Sequence, residues 1–162
     1  MHGTASSPRD PSPYAPSRGA LTLRRDMHPD FFAIRIDEPA PAGRAVCVEV
    51  GAHAFYGKAW SCVAHAHFER FVTGLEVLAE GRSTLGVGVR WRPSPESDGI
   101  TMIDATPIAL TGGVQIAVAM DFPEGALRTQ LVVARTAVAE FAQRLRAAWG
   151  SPLATTVEVQ GS

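Results

Sequence analysis

Histidine and cysteine side chains gather in the middle of the chain, where they could ligate a metal ion. The residues are His53, Cys62, His65 and His67, and zinc accepts both imidazole and thiolate ligands. Their spacing matches neither C-x2-C nor H-x3-H. His65 and His67 also stand where a helix must begin, so they could equally satisfy free backbone N–H groups or face solvent. We therefore predict no metal site and no cofactor, with these four residues as the ligands to examine if a metal binds.

Residues for covalent or acid–base catalysis are even less clearly grouped. Ser61-Cys62 beside His65 is the nearest approach to a nucleophile with a base, but these residues alternate with apolar positions that are typical of a sheet. Asp104 and Asp121 are the nearest approach to paired carboxylates, and each also suits an exposed strand face or a turn. We predict no catalytic residues; the sequence leaves enzyme activity undecided and favours its absence.

Three residues, Tyr56, Lys58 and Trp60, form a candidate binding surface. They alternate along one extended stretch and therefore share one face of a strand. Tryptophan, tyrosine and a cation on one face are typical of protein-binding surfaces. The alternative is that Trp60 lies under a helix, which would make this face part of the core. We predict a partner-binding surface here if the face is open.

The strand that carries these residues leads directly into an amphipathic helix. Its apolar residues recur at helical spacing: Phe68, Phe71, Val72, Leu75 and Leu78. A second helix near the C-terminus repeats the figure with Val138, Phe141, Ala142, Leu145 and Trp149, and we expect it to begin near Thr136 and end at Gly150. The similarity indicates either an internal duplication or two helices that pack on a sheet in the same way.

Most of the remaining chain alternates between apolar and polar residues, as β-strands do. Residues 114–122 give the clearest alternation, and Gly112-Gly113 before them indicates a tight hairpin turn. Consecutive strands joined by short turns form an antiparallel meander. The predicted fold class is α+β, with an antiparallel, mostly meandering sheet of about six to eight strands and two amphipathic helices packed on one face.

Composition sets the domain organisation and excludes some partners. Residues 1–19 are rich in proline and serine and predict a disordered tail, and residues 20–162 predict a single α+β domain. A net charge of −1 disfavours nucleic acid as a partner.

We find neither a secretion signal nor an apolar run of about 20 residues, so we expect a cytoplasmic protein that does not span a membrane. Cys47 and Cys62 could pair if neighbouring strands bring them together.

Two glycines support an alternative function. Gly86 and Gly88 share one face of a predicted strand, where glycine usually means a close approach or a bend. They could give a ligand room between sheet and helices, as in a small-molecule-binding protein or an enzyme with a pocket there. A homodimer formed through an exposed sheet face or edge is also compatible with the sequence.

A family resemblance covers roughly residues 32–150. Its points are the run Phe55-Tyr56-Gly57-Lys58-Ala59-Trp60, the spacing Phe68-x-x-Phe71-x-x-x-Leu75-x-x-Leu78, the glycine-turned strands, and Phe141-x-x-x-Leu145. In these features the chain resembles small bacterial proteins of the WapI immunity type and related uncharacterised families. It departs from them at His65-Ala66-His67, where such families often have an acidic or serine cap.

The resemblance implies stoichiometric binding of a toxin domain, without catalysis and without a cofactor. The leading prediction is therefore a non-enzymatic protein-binding module, an immunity protein that binds and neutralises a cognate toxin domain.

Overall fold

The structure, a computed structural model, describes residues 20–23, 29–41, 43–52, 55–91, 100–122 and 125–162. The predicted tail of residues 1–19 lies outside these ranges. The helices are α1 (His65–Ala79) and α2 (Arg135–Gly150), and the strands are β1 (Ala20–Leu23), β2 (Phe31–Ala40), β3 (Gly43–Ala52), β4 (Phe55–Val63), β5 (Val87–Trp91), β6 (Thr101–Pro107), β7 (Val114–Phe122), β8 (Gly125–Val133) and β9 (Thr155–Gln160). Paired strands are antiparallel. The predicted α+β class with two helices is confirmed.

The strands divide between two sheets. The first sheet has the order β1-β4-β3-β2-β9, and the second has the order β5-β6-β7-β8. Helices make this division, because α1 carries the chain from β4 to β5 in the second sheet and α2 carries it back from β8 to β9 in the first. The meander predicted from short turns is therefore correct within each sheet and is interrupted at each helix.

The two halves of the chain have the same topology. The elements β2-β3-β4-α1-β5 correspond in order and pairing to β6-β7-β8-α2-β9. Arg44 pairs with Val63, and 70 residues later Val114 pairs with Val133. In each half the last strand pairs with the first strand of the other half, β5 with β6 and β9 with β2. Two unrelated helices that pack on sheets could share an apolar stripe, but they would not also share the register of the strands before them. The structure therefore supports the alternative of an internal duplication.

Strand β1 is the described element that lacks a counterpart in this internal repeat. It pairs with residues 55–58 at the edge of β4. The equivalent stretch of β8 is residues 125–128, and β8 stands at the end of the order of the second sheet. Among the described strands, the edge of β4 is therefore paired with β1, whereas the equivalent edge of β8 is unpaired.

A single hydrophobic core joins both sheets and both helices. Alternate residues of each strand and the apolar stripe of each helix point into it. Aromatic contacts connect the helices to the sheets. The ring centroids of Phe32 in β2 and Phe141 in α2 lie 5.7 Å apart, and those of Phe71 in α1 and Trp91 in β5 lie 5.5 Å apart in an edge-on arrangement. Helices α1 and α2 therefore pack on the inner faces of the sheets, and neither of them lies on an outer face.

Two glycines mark the closest approaches inside this core. A Cβ at Gly57 of β4 would lie 2.4 Å from Leu127 Cδ2 in the second sheet, and one at Gly74 of α1 would lie 2.4 Å from Val87 Cγ2 in β5. A side chain at either position would overlap an apolar neighbour, Leu127 or Val87. The absence of a side chain thus lets sheet meet sheet at Gly57 and helix meet sheet at Gly74.

Candidate functional site

The three predicted binding residues lie on the outer face of the first sheet. Tyr56, Lys58 and Trp60 alternate along β4 with Gly57 and with other inward-facing positions. All three side chains are half-buried. Neither helix covers them, because the contacts of α1 and α2 with the sheets are made on the inner faces. The alternative that placed Trp60 under a helix is therefore wrong.

Strand register places a carboxylate at the centre of this face. Glu49 of β3 is the cross-strand partner of Lys58. The Tyr56 hydroxyl donates to Glu49 Oε2 at 2.7 Å, and Lys58 Nζ lies 3.8 Å from Glu49 Oε1. One carboxylate thus holds both the phenol and the ammonium group. Sequence spacing could not reveal Glu49, because only the β3–β4 register brings it between them.

Two cations flank the indole of Trp60. The Arg35 guanidinium of β2 and Lys58 Nζ each lie 5.9 Å from the ring centroid, a distance that gives cation–π attraction. Arg35 Nε also donates to Asp37 at 3.0 Å. The indole Nε1–H is buried and has no hydrogen-bond partner among the residues that the structure describes. We call the group of Arg35, Glu49, Tyr56, Lys58 and Trp60 the Trp60 face.

Two acidic groups, the Cys47 thiol beside the Trp60 face and the Tyr56 hydroxyl within it, are held in their neutral forms. Burial, followed by the Glu49 carboxylate, raises the pKa of Cys47 from 9.0 to about 12. Burial and the hydrogen bond to Glu49 likewise raise the pKa of Tyr56 above its ordinary value. A thiol that ionises only at high pH is a poor nucleophile. Cys47 and Cys62 are both free thiols, so the predicted alternative of a disulfide between them is wrong.

The predicted metal ligands do not converge. Cys62 lies exposed on the outer face of β4, and His65 and His67 lie exposed in the first turn of α1. Within the described residues no group of three or more His, Cys, Asp or Glu could hold a metal ion. His53 lies outside those residues. The histidines also do not cap the helix, since Ala64 is the N-cap and makes no side-chain cap hydrogen bond.

The two catalytic groupings considered from the sequence are also separated. Ser61 is buried on the inner face of β4 while Cys62 is exposed on the outer face, so strand alternation points them apart. Asp104 pairs with Ala117 of β7, four residues from Asp121, which is about 13 Å along an extended strand. Asp121 is instead 2.8 Å from Arg128. Neither grouping has catalytic geometry.

The outer face of the second sheet carries a shallow groove that the sequence did not reveal. Its volume is about 310 Å³, and its lining includes Ala117 and Ala119 as floor with Asp104, Arg128 and Gln130 at the sides. In the internal repeat Ala117 and Ala119 stand where the first sheet has Cys47 and Glu49. The groove therefore exists because small residues replace larger ones. Alanines at alternate positions of a strand are the sequence signal that could have indicated it.

The glycines offered as room for a ligand face outward instead. Gly88 pairs with Asp104, and a Cβ at Gly88 would lie 2.4 Å from Asp104 Oδ1. The inward positions of β5 belong to Val87, Val89 and Trp91. These glycines therefore do not support a pocket between sheet and helices.

Comparison with protein-family models, with curated proteins and with solved structures gave no match to this chain. Among the described residues, no helix has both the length and the apolar character needed to cross a membrane.

Proposed function

We propose that this chain is a non-enzymatic protein-binding module that contacts its partner with the Trp60 face. One observation carries the proposal: a tryptophan, a tyrosine and a lysine stand together on a sheet face that neither α1 nor α2 covers, half-buried and fixed by neighbouring charges. Tryptophan, tyrosine and arginine are the residues whose truncation most often weakens protein–protein complexes.

The contacts within the Trp60 face favour binding because they fix its side chains in advance. Glu49 orients Tyr56 and Lys58, and Arg35 and Lys58 hold the Trp60 ring between them. Side chains that are already ordered lose less conformational entropy when a partner arrives. The face therefore offers aromatic surface at a low entropic cost.

The charges of the Trp60 face suit a protein partner. Arg35 and Lys58 are matched by Asp37 and Glu49, so the face has no excess positive charge to attract a polyanion. Mixed charges around aromatic rings match the polar rim and apolar centre of a protein interface. With the resemblance to immunity proteins of the WapI type, the partner we propose is a toxin domain, which the bound chain occludes and neutralises.

Binding to a toxin domain encoded beside the gene for this chain tests the proposal. Calorimetric titration should give a 1:1 complex, and Trp60→Ala should weaken it by about 2 kcal/mol, or about 30-fold in Kd. Gln130→Ala is the matched control, because Gln130 is the exposed residue equivalent to Trp60 in the internal repeat and lies on the second sheet. It should leave the affinity unchanged.

Two results would contradict the proposal. Equal affinities for the wild type and Trp60→Ala would remove the Trp60 face from the interface. Turnover of a small molecule by a chain that captures no protein from its native host would favour the alternative of an enzyme or small-molecule-binding protein.

A further inference from the structure

The edge of β8 is the place where the two halves of the internal repeat differ. No described strand pairs there as β1 pairs with β4. In the first half, β1 pairs with residues 55–58 of β4. In the second half, the equivalent residues 125–128 of β8 pair with β7 alone among the described strands. Unpaired backbone N–H and C=O groups along an edge are a template for another strand.

Backbone direction identifies which groups of β8 are free. Val132 O accepts from Ser162 N at 2.8 Å, so the peptide groups of Val132 point away from β7. Alternate residues of a strand point the same way, which places the N–H and C=O groups of Ala126, Arg128 and Gln130 at the same edge. All three residues are exposed. Ser162 thus covers the edge at Val132, and none of the described strands other than β7 pairs with residues 126–130.

Strand β8 lacks the usual devices that prevent edge pairing. Its nine residues include no proline and no lysine, and its register with β7 has no bulge. Its single charged side chain, Arg128, is turned back over its own sheet: Nη2 is 2.8 Å from Asp121 Oδ1, and Nη1 donates to Leu127 O at 3.1 Å. The arginine therefore neither projects across the edge nor leaves an unbalanced charge there.

We propose that the edge of β8 pairs antiparallel with β8 of a second copy of this chain, forming a two-fold symmetric homodimer with a continuous eight-stranded sheet. A two-fold axis makes one edge complementary to itself. Because Asp121 neutralises Arg128 in each copy, the two edges meet without net repulsion. The strand seated on the equivalent edge of β4 shows that this fold accepts an antiparallel neighbour at that place.

The dimer is reversible and weak. Pairing of about five residues from each copy buries less than the roughly 1,000 Å² of a stable interface. Sedimentation velocity of the full chain should therefore show a monomer at low micromolar concentration and a growing dimer fraction toward about 1 mM. In the same range, hydrogen exchange at the N–H groups of Arg128 and Gln130 should slow as concentration rises.

A pair of variants at one position isolates the backbone contribution. Arg128→Pro removes an edge N–H that β7 does not use, and Arg128→Ala removes the same side chain and its ion pair but keeps the N–H. The proline variant should dissociate at least tenfold more readily than the alanine variant. If Arg128→Pro does not fold, as judged by circular dichroism, Ala126→Pro makes the same test at the next free N–H.

Two outcomes would overturn the dimer. One is a wild-type chain that stays monomeric up to about 1 mM, which would leave the edge to strands of other proteins. The other is equal dissociation of the proline and alanine variants, which would place self-association elsewhere. Trp60→Ala should not change dissociation, because the Trp60 face lies on the other sheet.

Discussion

Arg44 on β3 donates from Nη1 to the main-chain oxygen of Ser151, 2.8 Å away, at the C-cap that follows α2. The same nitrogen donates to Trp149 O, and Nε donates to Asp37 O at 2.6 Å. Only 4% of Arg44 is exposed. One buried guanidinium thus satisfies the free carbonyl groups at a helix end and joins α2 to the first sheet.

Replacement of Arg44 should strongly destabilise the protein. We expect Arg44→Met to lower the free energy of unfolding by about 3 kcal/mol, because the buried carbonyl groups of α2 lose a charged donor. Urea-induced unfolding measures this change. Arg44→Lys is the control: it keeps the charge but not the planar fork of donors, so it should recover only part of the loss. Full recovery by lysine would show that charge alone matters.

The buried thiol of Cys47 should make stability depend on pH in the alkaline range. Its pKa is raised from 9.0 to about 12 by burial and by Glu49, so folding favours the neutral thiol. This contribution is fully present below pH 9, the ordinary thiol pKa, and is lost as pH rises toward 12. Urea-induced unfolding at several pH values should show a shallower alkaline loss of stability for Cys47→Ala than for the wild type.

Cys62 provides the control for the thiol prediction, because it is exposed on the same outer face of the first sheet, on the neighbouring strand β4. Cys62→Ala should keep the wild-type alkaline slope. In the native wild type a thiol reagent should modify Cys62 quickly and Cys47 only after unfolding. Equal alkaline slopes for the two alanine variants, or equal modification rates for the two thiols, would contradict the assigned environment of Cys47.

Arg146 should contribute a modest, salt-sensitive stabilisation between the helices. From α2 it reaches two carboxylates of α1, Glu69 at 2.6 Å and Glu76 at 2.9 Å. The cluster is partly exposed, so we expect Arg146→Ala to lower the free energy of unfolding by about 1 kcal/mol at low salt and by less at high salt. Denaturant unfolding at both salt concentrations measures it. Arg144→Ala, on the exposed side of α2, should cause a smaller change with no such salt dependence.

The sequence alone determined the α+β class and the identity of the core residues. Phe68, Phe71 and Leu75 form the buried stripe of α1 as predicted, because a period of 3.6 residues places them on one side of a helix. The stop at Gly150 and the start near Thr136 are also confirmed, since α2 begins at Arg135, although its N-cap is Ala134 and not Thr136. Neither α1 nor α2 has a side-chain hydrogen bond at its N-cap. Tertiary packing, and not capping, therefore stabilises the N-terminal ends of both helices.

Tertiary structure alone decided which faces meet and which stay open. The alternation of residues along β4 places Tyr56, Lys58 and Trp60 on one face of the strand. The same alternation fits either face being buried, so it does not indicate which of the two faces a helix covers. Pairing between strands then brought Arg35 and Glu49 to those residues and left the edge of β8 without a partner among the described strands. Such pairing depends on the path of the chain through α1 and α2, which local periodicity does not specify. The composition of the Trp60 face beyond β4 is therefore a property of the fold.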